Sequence, residues 1–446
     1  MSKRRWFTLC VSVLGLLLIG TAAFAGGGGE VETTAVEKGP QGPDGVYWEA
    51  YKGTKLVLGM NKHIYSETLQ KVKDEFEEKT GIELVFDIYA QDEYMNKRLI
   101  DVSSGSGTFD VIMADSTTFQ YANAGWIENL SPYFDNPDLV NKAKYNIDDI
   151  AFLNNYTFDN KVYGIPVSGE TQIVFYRKDI FQQENLTPPK TMEELYDVAK
   201  KLKTDDRPGV LVRGQKIHTV GNSSGFVFCW GEKMVDDWKA PTKALFNTPK
   251  AVEALSFYAQ LAREFGPPGI GNYTWYECVS DFQQAKAPMY VEMSVFMGQF
   301  EDPEKSQVAG KVGYAPMPAG PAGSRPAGLA WAIAMSSASK NKEAAFLFMA
   351  WATSPETMVD IAMEGGITTR ASVLDNPGLA QKYPKDWLSA VKQGYSVPVP
   401  KVFPLLSKAE EYLDTVGGAV NAMILGQGDP QTLLDEAAAK TDTLFD

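Results

Sequence analysis

Between Lys55 and Ala114 the chain alternates two periodicities, and that alternation restricts its fold more than any other feature. Lys55-Leu-Val-Leu-Gly-Met60 is a short apolar run. Leu69, Val72 and Phe76 then recur at helical spacing behind Ser66, a candidate N-cap, and Gly81 ends the run. Further apolar runs cover 82–88 and 109–114. Strand, helix, strand, helix, strand is the pattern of a parallel sheet covered by helices, an α/β fold. A second α/β region follows. Residues 173–176 read as a strand, and Thr191 with Glu194 forms a capping box for a helix carrying Leu195, Val198, Ala199 and Leu202. Another helix starts at Pro249, and 288–293 and 329–335 are apolar strands. From Asn341 the pattern is mostly helical, with Ser354-Pro355-Glu356 and Asp429-Pro430 opening helices and Gly365-Gly366 closing one. No internal repeat is visible.

The N-terminus carries a different signal. Lys3, Arg4 and Arg5 precede a largely apolar stretch, then Ala23-Phe-Ala25 gives an A-x-A cleavage pattern. That is a signal peptide over 1–25, and it implies an extracytoplasmic or periplasmic protein. Residues 26–53, rich in Gly, Glu, Thr and Pro, read as a flexible leader. Cys10 lies inside the apolar stretch and not at the cleavage point, which argues against a lipid anchor. A mature chain of about 420 residues is too long for one core and predicts two domains. Net charge is −14, and −17 without Lys3, Arg4 and Arg5. So acidic a surface excludes nucleic acid and anionic membranes as partners. Cys229 and Cys278 leave one disulfide open as a possibility and no disulfide framework.

Motifs for catalysis are missing. His63 and His218 have no metal-ligand spacing around them and read as polar loop residues. Gly221-Asn-Ser-Ser-Gly225 fits the letters G-x-S-x-G, but no apolar strand leads directly into it as a nucleophile elbow requires, and there is no phosphate-cradling glycine loop and no dinucleotide fingerprint. The residue types that are present suit binding without a cofactor or metal. Loops at the carboxyl ends of parallel strands are where α/β proteins hold ligands. Asn61 follows the first strand, Asp115-Ser116-Thr117 follows 109–114, and Gly169-Glu170-Thr171 precedes the strand at Ile173. Such groups hydrogen-bond hydroxyls, while aromatic faces cover C–H surface. Glu292 interrupts an apolar strand, and a buried acid there needs a partner.

Two segments carry a family resemblance. One is Phe109-Asp-Val-Ile-Met-Ala-Asp115 leading to Ala124-Gly-Trp-Ile-Glu-Asn-Leu130. The other is Lys161-Val-Tyr-Gly-Ile-Pro166 leading to Val174-Phe-Tyr-Arg-Lys-Asp179. In this order the chain resembles the extracellular solute-binding proteins of ABC importers, in their maltose-binding-protein-like carbohydrate group. Gly169-Glu170-Thr171, Gly266-Pro-Pro-Gly269 with Trp275-Tyr-Glu-Cys278, Glu301-Asp-Pro303 and Thr369-Arg-Ala-Ser372 add a likeness to sorbitol- and mannitol-binding members. The resemblance implies a two-lobed periplasmic-binding-protein fold, type II-like, with crossovers near Pro166 and Met335. It places 54–166 plus 290–336 in the first lobe and 167–289 plus 337–446 in the second. It implies a cleft lined by Asn61 and Asp115 from the first lobe and by Glu170, Arg213, Glu292, Trp331 and Arg370, with Trp275 and Tyr290 as further candidates. The implied function is monomeric capture of a sugar alcohol or sugar by lobe closure and delivery to the transmembrane subunits of a permease. A same-fold receptor for a polyamine, and a secreted glycoside hydrolase, stay open at this point.

Overall fold

Three short strands form the start of the sheet: β1 (Lys55–Asn61), β2 (Glu83–Tyr89) and β3 (Val111–Ala114). β1 runs parallel to both of the others, so all three deliver their carboxyl ends to one edge. The structure, a computed structural model, describes residues 38–115, 118–397, 401–406 and 408–445. The expected signal peptide at 1–25, leader residues 26–37 and the Ser116-Thr117 pair lie outside the described residues. Between β1 and β2 runs helix α1 (Ile64–Thr80), closed by Gly81 in the left-handed region at φ 69°. Its N-cap is His63, not Ser66. The His63 ring accepts the Tyr65 N–H at 3.1 Å, and Ser66 Oγ accepts the His63 N–H at 3.1 Å. Ser66 thus sits inside the first turn as the reciprocal half of a capping box.

After a small hairpin of β4 (Thr157–Phe158) and β5 (Lys161–Val162) comes the element that organises the molecule, β6 (Ile165–Arg177). The remaining strands are β7 (Met289–Met293), β8 (Val312–Pro316) and β9 (Gly328–Met335). Residues 165–171 of β6 pair antiparallel with β9, and residues 172–177 pair with β7 and β8. β9 in turn pairs antiparallel with β3 through 332–335. The order is therefore β2-β1-β3-β9-β6-β7, with β8 also on β6. β6 contains Pro166 and β9 ends at Met335, the positions near which crossovers are expected.

Two hydrophobic cores flank them. One gathers Leu56, Leu58, Phe76, Val111, Met113, Ile333, Phe346 and Trp351. The other gathers Phe175, Phe226, Tyr258, Tyr290, Phe300 and Val416. Each fully buried side chain of this size contributes about 1.5–3 kcal/mol from water exclusion. The expected lobe boundaries need correction. Tyr290, Val291, Val312 and Tyr314 belong to the second core, because β7 and β8 pair with the far half of β6. The helices Lys342–Ala352 and Pro355–Met363, expected in the second lobe, pack in the first core through Phe346, Trp351, Met358 and Ile361. The leader also differs from expectation over 38–53. Val46 is buried in the first core, Tyr47 N–H donates to Asp138 O at 3.0 Å, and Lys79 lies 3.6 Å over the Trp48 ring. Cys229 and Cys278 are buried free thiols, so the open disulfide is not formed. No helix among the described residues is long and apolar enough to cross a membrane.

Candidate functional site

The site grows from strand alternation. In the β6–β9 ribbon Ser168 stands opposite Trp331 and Glu170 opposite Leu329. Residues two apart in a strand share a face, and directly paired residues share it too. Ser168, Glu170 and Trp331 therefore project from one side of the ribbon. Gly169 lies on the other side, where a Cβ would come within 2.5 Å of the Tyr395 hydroxyl. That hydroxyl donates to Gly169 O at 2.7 Å, which pins the strand where it passes between the lobes.

Glu170 meets the first lobe through His63. Its Oε1 lies 4.0 Å from His63 Nε2, and both side chains are only 13% exposed. The His63 and Trp331 rings lie 5.9 Å apart, tilted by 50°. Among the described residues no group donates a hydrogen bond to the Glu170 carboxylate. Burial pushes it up to about 7 from an ordinary 4.5, with Arg213 drawing it down and Glu292 pushing it up. Burial drives His63 the other way, down to about 4, so the ring is neutral. A buried titratable pair with shifted values and no mutual hydrogen bond is a candidate functional site.

Arg213 and Glu292 supply the second-lobe wall. Leu211 bridges to Tyr290 beside β7, which brings Arg213 over Glu292. The guanidinium forks onto the carboxylate, Nε to Oε2 and Nη2 to Oε1, both at 2.7 Å. Tyr290 Oη donates to Oε2 at 2.6 Å and Met293 N–H to Oε1 at 2.8 Å. Glu292 is wholly buried and satisfied, while Arg213 keeps 13% of its side chain exposed. Glu292 and Tyr290 thus hold Arg213 from behind, and the hydroxyl of Tyr290 is spent inside the core.

Asn61 ends β1 at 2% exposure, and its Oδ1 has no hydrogen-bond partner among the described residues. Asp115 follows β3 directly and pairs with the fully buried Arg98 at 3.3 Å. Tyr156 stands in the field of Asp115, Arg98 and Glu170 together, which links the β3 end to the same cleft. Its hydroxyl donates to Ala330 O. Two candidates fall outside this grouping. Arg370 is fully buried, donating to Thr353 O at 2.7 Å and Asn146 O at 2.9 Å with Asp149 at 3.5 Å. Its guanidinium lies 4.7 Å from the Tyr145 ring centre and ties loops within the first lobe, while its Nη2 has no hydrogen-bond partner among the described residues. Trp275 is half-buried and stacks on Phe296 at 5.4 Å. Among the described residues no ring contact or hydrogen bond joins it to Glu170 or Trp331.

Sequence reasoning missed His63, Tyr156 and Tyr395. His63 had a usable signal, since it lies two residues beyond Asn61 at the carboxyl end of a parallel strand. The two tyrosines had none, because distant pairing alone brings them in. His218, read as a loop residue, sits in the helix Lys216–Cys229, where burial and the Arg213 charge lower its pKa. No cluster among the described residues has the donors to hold a metal ion.

Comparison with known proteins bears on the family and the fold. Residues 62–359 match the family described as bacterial extracellular solute-binding protein. The erythritol/L-threitol-binding protein of Mycolicibacterium smegmatis is 29% identical over 353 residues, 74% of this chain and 73% of that protein. A probable amino-acid ABC transporter periplasmic-binding protein of Sinorhizobium fredii is 26% identical over 412 residues, 89% and 90% of the two chains. A solved ABC transporter solute-binding protein from Agrobacterium radiobacter, in complex with ribitol, superposes with a TM-score of 0.75 at 28% identity. It covers 88% of this chain and 99% of its own.

Proposed function

This chain belongs to the family of bacterial extracellular solute-binding proteins, and from that premise we propose that it captures a linear sugar alcohol between its two lobes for an ABC importer. The observation that carries the reading is the buried Glu170 carboxylate, without a donor among the described residues, facing His63 beside Trp331 and lying in the field of Arg213. A polyol hydroxyl donates to Glu170 and to Asn61 Oδ1, and accepts from Arg213. Trp331 offers a face to the carbon chain. Charge-assisted hydrogen bonds of this kind strengthen when the lobes close and exclude water. The protein binds without turnover, is exported through a cleaved signal peptide, acts as a monomer and delivers its ligand to permease subunits.

Support for a polyol over other solutes comes from the relative that binds erythritol or L-threitol and from the structure holding ribitol. The Sinorhizobium relative raises an amino acid as a second reading. An amino acid needs an uncompensated cation for its carboxylate, and the charge of Arg213 is neutralised by Glu292, which leaves its remaining N–H groups to a hydroxyl. A polyamine needs several unpaired acids, and Asp115 and Glu292 are both paired with arginines. A thermal-shift panel of four- to six-carbon polyols, sugars, amino acids and polyamines separates these readings, since a ligand that binds only the folded state raises its melting temperature by mass action. Stabilisation by a polyol at micromolar concentration is expected. Stabilisation by an amino acid alone, or by a polyamine alone, rejects the reading.

A further inference from the structure

One imidazole serves both the helix cap and the cleft, and the first duty settles the second. His63 Nδ1 accepts the Tyr65 N–H at 3.1 Å, so Nδ1 carries no hydrogen. Burial keeps the ring neutral, with its pKa down to about 4. A neutral imidazole has one N–H, a donor, and one bare nitrogen, an acceptor. The hydrogen is therefore on Nε2, the atom that faces Glu170 Oε1 across 4.0 Å. That separation is too long for a hydrogen bond. It matches a single oxygen seated beside both groups, accepting from one and donating to the other.

We infer that His63 is a specificity-determining residue of the cleft: its Nε2–H and the Glu170 carboxylate seat one ligand hydroxyl and reject an ammonium group in that place. A hydroxyl accepts and donates at once. A protonated amine has three donors and no lone pair, so it leaves the Nε2–H facing a cation. The helix cap enforces this choice, because turning the ring to present an acceptor would strip the Tyr65 N–H of its partner. Trp331 packs beside the same ring and limits its rotation. The inference rests on the polyol reading and assigns to its site a residue and a hydrogen-bond polarity.

His63→Asn tests it. Asparagine is a strong N-cap acceptor, so α1 keeps its cap, but its shorter side chain carries no donor to the Nε2 position. The expected result is a melting temperature close to wild type and an affinity for the best polyol of the panel about tenfold weaker. Combined with Glu170→Gln, the loss should be less than the product of the two single losses, as for groups sharing one hydroxyl. Nitrogen-15 NMR of the wild-type ring should show protonated Nε2 and bare Nδ1, with the Nε2 signal moving on polyol addition. Unchanged polyol affinity in His63→Asn, or a hydrogen on Nδ1, overturns the inference and leaves the polyol reading standing. Absence of polyol binding to the wild type overturns both.

Discussion

Glu170 is held in a state that its own burial opposes. Its carboxyl titrates near 7 in the folded chain against 4.5 when free. A group whose folded pKa is raised contributes stability that is fully present below about 4.5 and lost as pH rises through about 7. Above that range the folded protein therefore carries an unfavourable buried charge. Glu170→Gln keeps the shape and removes the charge. It should stabilise the ligand-free protein at pH 8 by on the order of 3 kcal/mol, with the advantage vanishing towards pH 4.5. Denaturant midpoints across that range check it, and an advantage independent of pH contradicts it. Residue types were legible at this scale only where a strand pattern framed them. Asn61, Asp115 and Glu170 stood out at strand ends, and Glu292 stood out as a charge in an apolar run. Arg370 marks the limit, because nothing in a local pattern distinguishes an arginine that lines a cleft from one that donates to buried backbone carbonyls, as this one does.

At the scale of elements, the strands themselves were legible from their periodicity, whereas their partners were not. β7 and β8 are short and buried on both faces, so no alternation of apolar and polar residues says which sheet they join. They follow the far half of β6, and with them 290–316 moves from the first lobe to the second. The helix Lys342–Ala352 misleads in the same way, since its apolar residues cover nearly every face. Placing Arg213 also depends on an element, the segment that runs beside β7. Gly214 follows it, and a Cβ there would stand 1.9 Å from the backbone oxygen of Ile270. Gly214→Ala must displace backbone, and overpacking of that kind costs about 1–3 kcal/mol or more. We expect a lower melting temperature together with weaker ligand binding, although residue 214 offers no side chain to a ligand. A variant with wild-type stability and affinity would show that this segment tolerates movement and does not position Arg213.

For the whole molecule, the arrangement follows from two strands that serve two cores. β6 and β9 are hydrogen-bonded to each other where they pass between the lobes, so a change in their twist moves one core against the other while the pairing survives. Glu170 sits one residue before β6 passes from β9 to β7 and β8, which puts it in reach of first-lobe His63 and second-lobe Arg213 together. Ligand that bonds to both walls binds the closed arrangement better, and it shifts the population by that difference in affinity. Calorimetric titration of the wild type and of Glu170→Ala with the polyol that stabilises the protein most tests the central claim. The account predicts one site per chain in the wild type and a loss of at least about tenfold in affinity in the variant, with undiminished yield of folded protein. Equal affinity in the two proteins would contradict it.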